Sequence, residues 1–111
     1  MTSREPNVIR IIVLLNLKPG KDENDYLQWA RTTDLPTVNS LKSVENFELL
    51  ECTSLLRGGP APYQYIEILD VSDMDAFKEE AGSEAMRKIA AEFNDWATPI
   101  FIVTNPVGTS A

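Results

Sequence analysis

The chain has 111 residues, 43% of them hydrophobic and 24% charged, which is the make-up of a globular domain long enough to bury a core of its own. Ten Lys and Arg against 17 Asp and Glu leave a net charge of −7. That balance speaks against nucleic acid and anionic membranes as partners, because both call for basic patches. Histidine is absent and Cys52 is the sole cysteine, so imidazole chemistry and an internal disulfide are excluded and a zinc or haem site lacks its usual donors.

Residues 1–7 read as a flexible N-terminal arm, residues 8–107 as one domain and residues 108–111 as a tail. The polar start, Met-Thr-Ser-Arg-Glu-Pro, is no secretory signal, so the cytoplasm is the expected location. Val8 to Leu17 predicts a first strand whose odd positions, Ile9, Ile11, Val13, Leu15 and Leu17, are all apolar. Its even positions include Arg10 and Asn16. Lys18-Pro-Gly-Lys21 is a turn. Asp22 then caps a helix whose inner face carries Tyr26, Trp29, Ala30 and Thr33 at i, i+3, i+4 and i+7. Pro36 should break this helix near Asp34 and leave Leu35 to Leu41 irregular or with a single turn.

Ser43 to Leu55 predicts the second strand, and Arg57-Gly-Gly-Pro-Ala-Pro62 the longest turn. Tyr63 to Val71 follows as the third strand. It is apolar enough to be buried on both faces, yet Glu67 lies in its middle between Ile66 and Ile68. An unpaired buried charge is costly, so Glu67 needs a partner, a cavity or a task. Ser72 and Asp75 suggest a capping box for a short helix that stops at Gly82. Ser83 caps a second helix, whose buried face is Met86, Ile89, Ala90, Phe93 and Ala97, with Trp96 at its edge. Pro99 ends that helix, and Ile100 to Thr104 is the last strand.

The order β-α-β-β-α-β is that of an α+β, ferredoxin-like fold with a four-stranded antiparallel sheet in the order 4-1-3-2. Helices would cover one face of the sheet only. The first and third strands are nevertheless apolar on both faces, where a one-sided sheet should alternate. A second copy of the same sheet is the simplest cover, so a homodimer is expected.

Several stretches carry a closer likeness: Trp29-Ala-Arg-Thr-Thr-Asp-Leu-Pro-Thr-Val-Asn39, Ser43-Val-Glu-Asn-Phe47, Pro62-Tyr-Gln-Tyr-Ile-Glu-Ile68, Asp70-Val-Ser-Asp-Met74 and Ile89-Ala-Ala-Glu-Phe93. With them the span from Val8 to Val107 resembles the RedY/HapK-like family of the dimeric α+β barrel superfamily. The resemblance implies a role in pathways to tryptophan-derived bisindoles or prodigiosin-type pigments. It further implies a pocket between sheet and helices for a reactive aromatic molecule. Related barrels include cofactor-independent monooxygenases, polyketide cyclases and haem enzymes. Mechanisms among them that rely on histidine do not carry over, because this chain has none.

Two carboxylates are the catalytic candidates. Glu67 is either an acid–base group with a pKa raised by burial or the partner of Arg10 on the neighbouring strand. Asp34 lies where the first helix should break, beside Thr37 and Asn39, and these three either rim a pocket or satisfy local backbone. Tyr26, Trp29, Phe93 and Trp96 line a pocket for a flat ligand or simply pack the core. Tyr65 could offer its hydroxyl near Glu67. Asn16 either donates to a ligand or satisfies a turn. No pattern for a metal, NAD, flavin or ATP is present, so no cofactor is expected.

The expected function is therefore a small cofactor-independent enzyme that steers a bisindole-like intermediate by cyclisation, rearrangement or proton transfer, coupled to upstream pathway enzymes. The alternatives are a cofactor-independent monooxygenase and a non-catalytic binder of an unstable intermediate.

Overall fold

A computed structural model describes residues 8–108. The expected arm over 1–7 and all but the first residue of the expected tail lie outside them. The elements in chain order are β1 (Ile9–Leu17), α1 (Glu23–Trp29), a π-helical turn (Ala30–Asp34), α2 (Leu35–Asn39), β2 (Val44–Glu51), β3 (Tyr65–Val71), α3 (Met74–Ala81), α4 (Glu84–Trp96) and β4 (Ala97–Thr104). The four strands form one antiparallel sheet in the order β2-β3-β1-β4, as the sequence predicts. The fold is α+β and ferredoxin-like.

Alternation along the strands sorts side chains onto two faces. Ile11, Val13 and Leu15 of β1 and Tyr65, Leu69 and Val71 of β3 point to the helices and are buried. With Tyr26, Ala30, Val38, Phe47, Phe93 and Ala97 they make the core. Full burial of a large apolar side chain such as Leu15 contributes about 1.5–3 kcal/mol. The other face carries Ile12, Leu14, Ile66 and Ile68, which are half-buried, and Leu50, Ile100 and Ile102, which are exposed. No helix among the described residues covers this apolar face.

Five expectations need correction. Pro36 does not break the helix. The chain passes from α1 into a wider turn in which the Leu35 N–H donates to the Ala30 carbonyl, and Pro36 then occupies the first turn of α2. In that position a proline needs no hydrogen-bond donor, and the wide turn relieves its ring of the carbonyl four residues back. The second strand ends at Glu51, short of Leu55, although the Cys52 N–H still reaches the Gln64 carbonyl at 2.9 Å. Asp73, not Ser72, caps α3, accepting from the Ala76 N–H at 3.1 Å, while the Ser72 hydroxyl donates to the Ser43 carbonyl. β4 starts at Ala97 and runs through Pro99, which an edge strand tolerates.

The fifth correction concerns Arg10. Its guanidinium grips Asp70 with two hydrogen bonds of 2.8 and 3.1 Å on the open face of the sheet. Glu67 is opposite Val13 in β1 and so faces the helices. The two residues point to opposite sides, and Arg10 cannot neutralise Glu67.

Candidate functional site

A cavity of about 130 Å³ lies between the sheet and the helices. Its floor is Val13, Phe47, Glu67, Leu69 and Phe101, one or two residues from each strand. Asp34 and Val38 close one side, and Phe77, Met86, Ile89, Ala90 and Phe93 from α3 and α4 close the other. Every lining side chain but two is apolar, and the two exceptions are both carboxylates. Phe101 stands edge-on to Phe93 at 6.3 Å and is still 60% exposed, so the cavity opens along the β4 edge.

Glu67 and Asp34 are 3% and 5% exposed. Among the described residues neither carboxylate forms a hydrogen bond or an ion pair, and no lysine or arginine lines the cavity. A lone carboxylate in such surroundings gives up its charge rather than its proton. Loss of hydration raises the Asp34 pKa to about 7. Loss of hydration, reinforced by the neighbouring Asp34 charge, raises that of Glu67 to about 8. Near neutral pH the pair can therefore donate a proton and take one back, which is the working range of a general acid–base group.

The turn that carries Asp34 is the π-helical one. Turns of this kind are uncommon in helices and concentrate at functional sites. Tyr26, Ala30, Asp34 and Val38 are all buried, so one continuous stripe of this helical run faces the sheet.

Of the other residues singled out from the sequence, only Phe93 lines the cavity. Trp29 backs it, stacked on Phe93 with centroids 6.3 Å apart and its indole N–H donating to Glu92 Oε1 at 2.8 Å. Tyr26 lies deeper, against Tyr65, Trp29 and Trp96 at 5.4, 6.1 and 5.9 Å. The Tyr65 hydroxyl donates to Glu23, not to Glu67. Trp96 shields Tyr26 and is covered in turn by Lys21, whose Nζ is 5.4 Å from the ring centre.

Of the three polar rim candidates Asp34 lines the cavity, whereas Asn39 and Thr37 do not, nor does Asn16. The Asn39 amide donates to the Leu35 and Phe47 carbonyls at 2.9 and 3.0 Å and accepts from the Phe47 N–H at 3.1 Å. It thereby stands in for a neighbouring strand along the outer edge of β2. Asn16 fixes the loop before β3 in the same manner, accepting from the Gln64 N–H at 2.8 Å and donating to the Pro62 carbonyl at 3.3 Å. Thr37 is half-buried in α2 and does not line the cavity. The lining residues not singled out from the sequence, chiefly Phe47, Phe77 and Phe101, are apolar positions in strands and helices and carry no local mark of a site. The one available signal was the run Ile100 to Val103, apolar on both faces of a strand.

No helix among the described residues is long and apolar enough to cross a membrane. No curated protein matches the chain in sequence. Among solved structures the fold is similar to HapK from Hahella chejuensis, with a TM-score of 0.75, 20% identity, and coverage of 93% of this chain and 96% of that one. It is similar to SnoaB, a cofactor-independent oxygenase from Streptomyces nogalater, at a TM-score of 0.74 and 12% identity over 93% and 96% of the two chains. A dimeric ferredoxin-like protein of unknown function from Thermobifida fusca superposes with a TM-score of 0.69 at 16% identity, covering 89% and 91%. At these identities the likeness establishes the fold. The model of the REDY-like protein HapK family matches residues 9–107, and the chain belongs to that family.

Proposed function

We propose that this protein is a cofactor-independent biosynthetic enzyme that takes the aromatic end of a reactive small molecule into the cavity and moves protons on it with Asp34 and Glu67. The observation that carries this reading is the pair of uncompensated buried carboxyls facing one apolar cavity. Such a pair lowers stability, and acid–base work is a reason to keep it. Enclosure between Phe47, Phe93 and Phe101 would hold the ring in place while a proton is delivered at one position and removed at another.

The substrate class is a tryptophan-derived bisindole or a related pigment precursor, a reading supported by membership of the REDY-like HapK family. The size of the cavity narrows how such a molecule would sit. An apolar cavity of about 150 Å³ accommodates one benzene. At about 130 Å³ this one takes a single ring, and the remainder of a bisindole would leave past Phe101. The same exposed edge and the uncovered apolar face support a homodimer, as does the dimeric state in the name of the Thermobifida fusca protein of this fold.

The test is to add the purified protein to the product of a tryptophan-dimerising enzyme, with and without oxygen. We expect a changed product profile in both conditions. Loss of one general acid–base group in Glu67→Gln or Asp34→Asn should slow the conversion 10²- to 10⁴-fold. Conversion only with oxygen would replace this reading with a monooxygenase. Tight binding with an unchanged profile would replace it with a carrier.

A further inference from the structure

Tyr26 is the most enclosed aromatic residue of the core, with 0% exposure, and its hydroxyl has no hydrogen-bond partner. Among the described residues it is the one side-chain polar atom both sealed from solvent and without a partner, since the carboxyls of Asp34 and Glu67 face the cavity. A buried hydroxyl without a partner is destabilising, and phenylalanine would fill the same space without it. The position of Tyr26 suggests why the hydroxyl is there. Tyr26 is on the same helical stripe as Asp34, two turns earlier, and its ring packs on Tyr65 at 5.4 Å. Glu67 follows Tyr65 by two residues on the same face of β3. The negative charges of Glu67 and Asp34 both oppose ionisation of Tyr26, in that order, after the larger effect of burial. The phenol is therefore held as a neutral O–H.

We propose that the Tyr26 hydroxyl, which bonds neither carboxyl in this structure, is the positioning donor of the site and turns to the negative charge that the Asp34–Glu67 pair takes on when it releases a proton. That charge arises in a cavity with no lysine or arginine in its lining. The other polar groups nearby are occupied. Tyr65 donates to Glu23, the Trp29 indole donates to Glu92, and Lys21 lies over the Trp96 ring. Arg31 acts on Tyr65, as does Glu51. Among the sealed side-chain donors of the described residues, the Tyr26 hydroxyl is the one left uncommitted. It works through the carboxylates and need not touch the substrate.

The inference rests on Asp34 and Glu67 being a proton-holding pair, and the experiment separates the two claims. Carboxyl ¹³C chemical shifts of Asp34 and Glu67 are followed against pH in the wild type and in Tyr26→Phe. A hydrogen bond to a charged group is strong enough to move a pKa by about one unit, so the first ionisation of the pair should rise by about that much in Tyr26→Phe. The stability difference between the two proteins should favour Tyr26→Phe at pH 5, where the pair is neutral, and shrink or reverse by pH 9. In the Asp34→Asn, Glu67→Gln background it should no longer change with pH. Ordinary carboxyl values near 4 in the wild type would overturn the pair itself. Raised values that Tyr26→Phe leaves unmoved, with a pH-independent stability difference, would overturn the role of Tyr26 alone. Should Tyr26→Phe fail to fold, the Cζ carbon of Tyr26 in the wild type decides the same question. A step at the carboxyl midpoint is expected, and a flat trace overturns the proposal.

Discussion

Replacing Glu67 with glutamine should stabilise the protein at neutral pH. The folded chain keeps Glu67 protonated up to about 8, whereas its ordinary value is 4.5. Folding at pH 7 therefore draws a proton onto a group that is ionised in the unfolded chain. At 1.36 kcal/mol per unit over the interval from 4.5 to 7, that uptake costs about 3 kcal/mol. The sign follows from the direction of the shift. A folded-state pKa above the unfolded one means that the native state binds more protons, so stability is full below pH 4.5 and falls as pH rises through about 8. Glutamine has the shape of the protonated acid and nothing to titrate. Urea unfolding of wild type and Glu67→Gln at intervals from pH 4 to pH 9 is the assay. The two curves should meet near pH 4 and diverge to about 3 kcal/mol at pH 7, with the variant the more stable. A variant less stable at pH 7, with a pH profile parallel to that of the wild type, would mean that Glu67 is ionised and paired, and the proton-holding site would fall with it.

Three further outcomes can be checked independently. Asp34→Asn removes the second cause of the Glu67 shift, so Glu67 should titrate below its wild-type value of about 8, as read from its carboxyl carbon by NMR. Asn39→Ala deletes three hydrogen bonds, two of them between α2 and the edge of β2, and should lower stability by about 1–3 kcal/mol in denaturant titration while leaving the carboxyl titration in place. Ile102→Lys puts a charge on the uncovered apolar face; in sedimentation the wild type should run as a dimer and the variant as a monomer.

Much of the fold can be read from the sequence because it rests on periodicity. The odd positions of β1, the Tyr26–Ala30 helical face and the caps at Asp22 and Ser83 are local patterns, and all are found where they were expected. Glu67 was visible as a charge inside an apolar run. Asp34 was visible because Pro36 follows it closely, although the proline acts by widening a turn and not by ending the helix. Strand register was not visible, and it decides who faces whom. Arg10 is opposite Asp70 and Glu67 opposite Val13, and this offset of three residues, an odd number, places Arg10 and Glu67 on opposite faces. Of the expected rim Asp34 lines the cavity and Asn39 does not, for a related reason. An asparagine after a helix can serve a ligand or an edge strand, and Asn39 serves Phe47. Phe47, Phe77 and Phe101 went unremarked because a phenylalanine lining a cavity has the same local pattern as one filling a core.

The π-helical turn reconciles the helix with the site, and this reconciliation can be tested. Tyr26, Ala30, Asp34 and Val38 recur every four residues. In a regular helix of 3.6 residues per turn that stripe would drift by about 40° at each step, or about 120° by Val38. All four nevertheless face inward, because the wide turn from Ala30 to Asp34 takes up the excess. Deleting Thr33 changes the spacing to i, i+4, i+7 and i+11, which a regular helix keeps on one face. Asp34 would stay buried, but the turn that frees Pro36 would be gone. A proline inside a regular helix costs about 3 kcal/mol or more. The deletion alone should therefore destabilise the protein by about that amount, and the deletion combined with Pro36→Ala should recover most of it, with the raised Asp34 titration retained. A deletion tolerated with Pro36 in place would show that the wide turn does not serve the proline. A double variant in which Asp34 titrates at its ordinary value would show that the turn, and not the stripe, directs the carboxylate into the cavity.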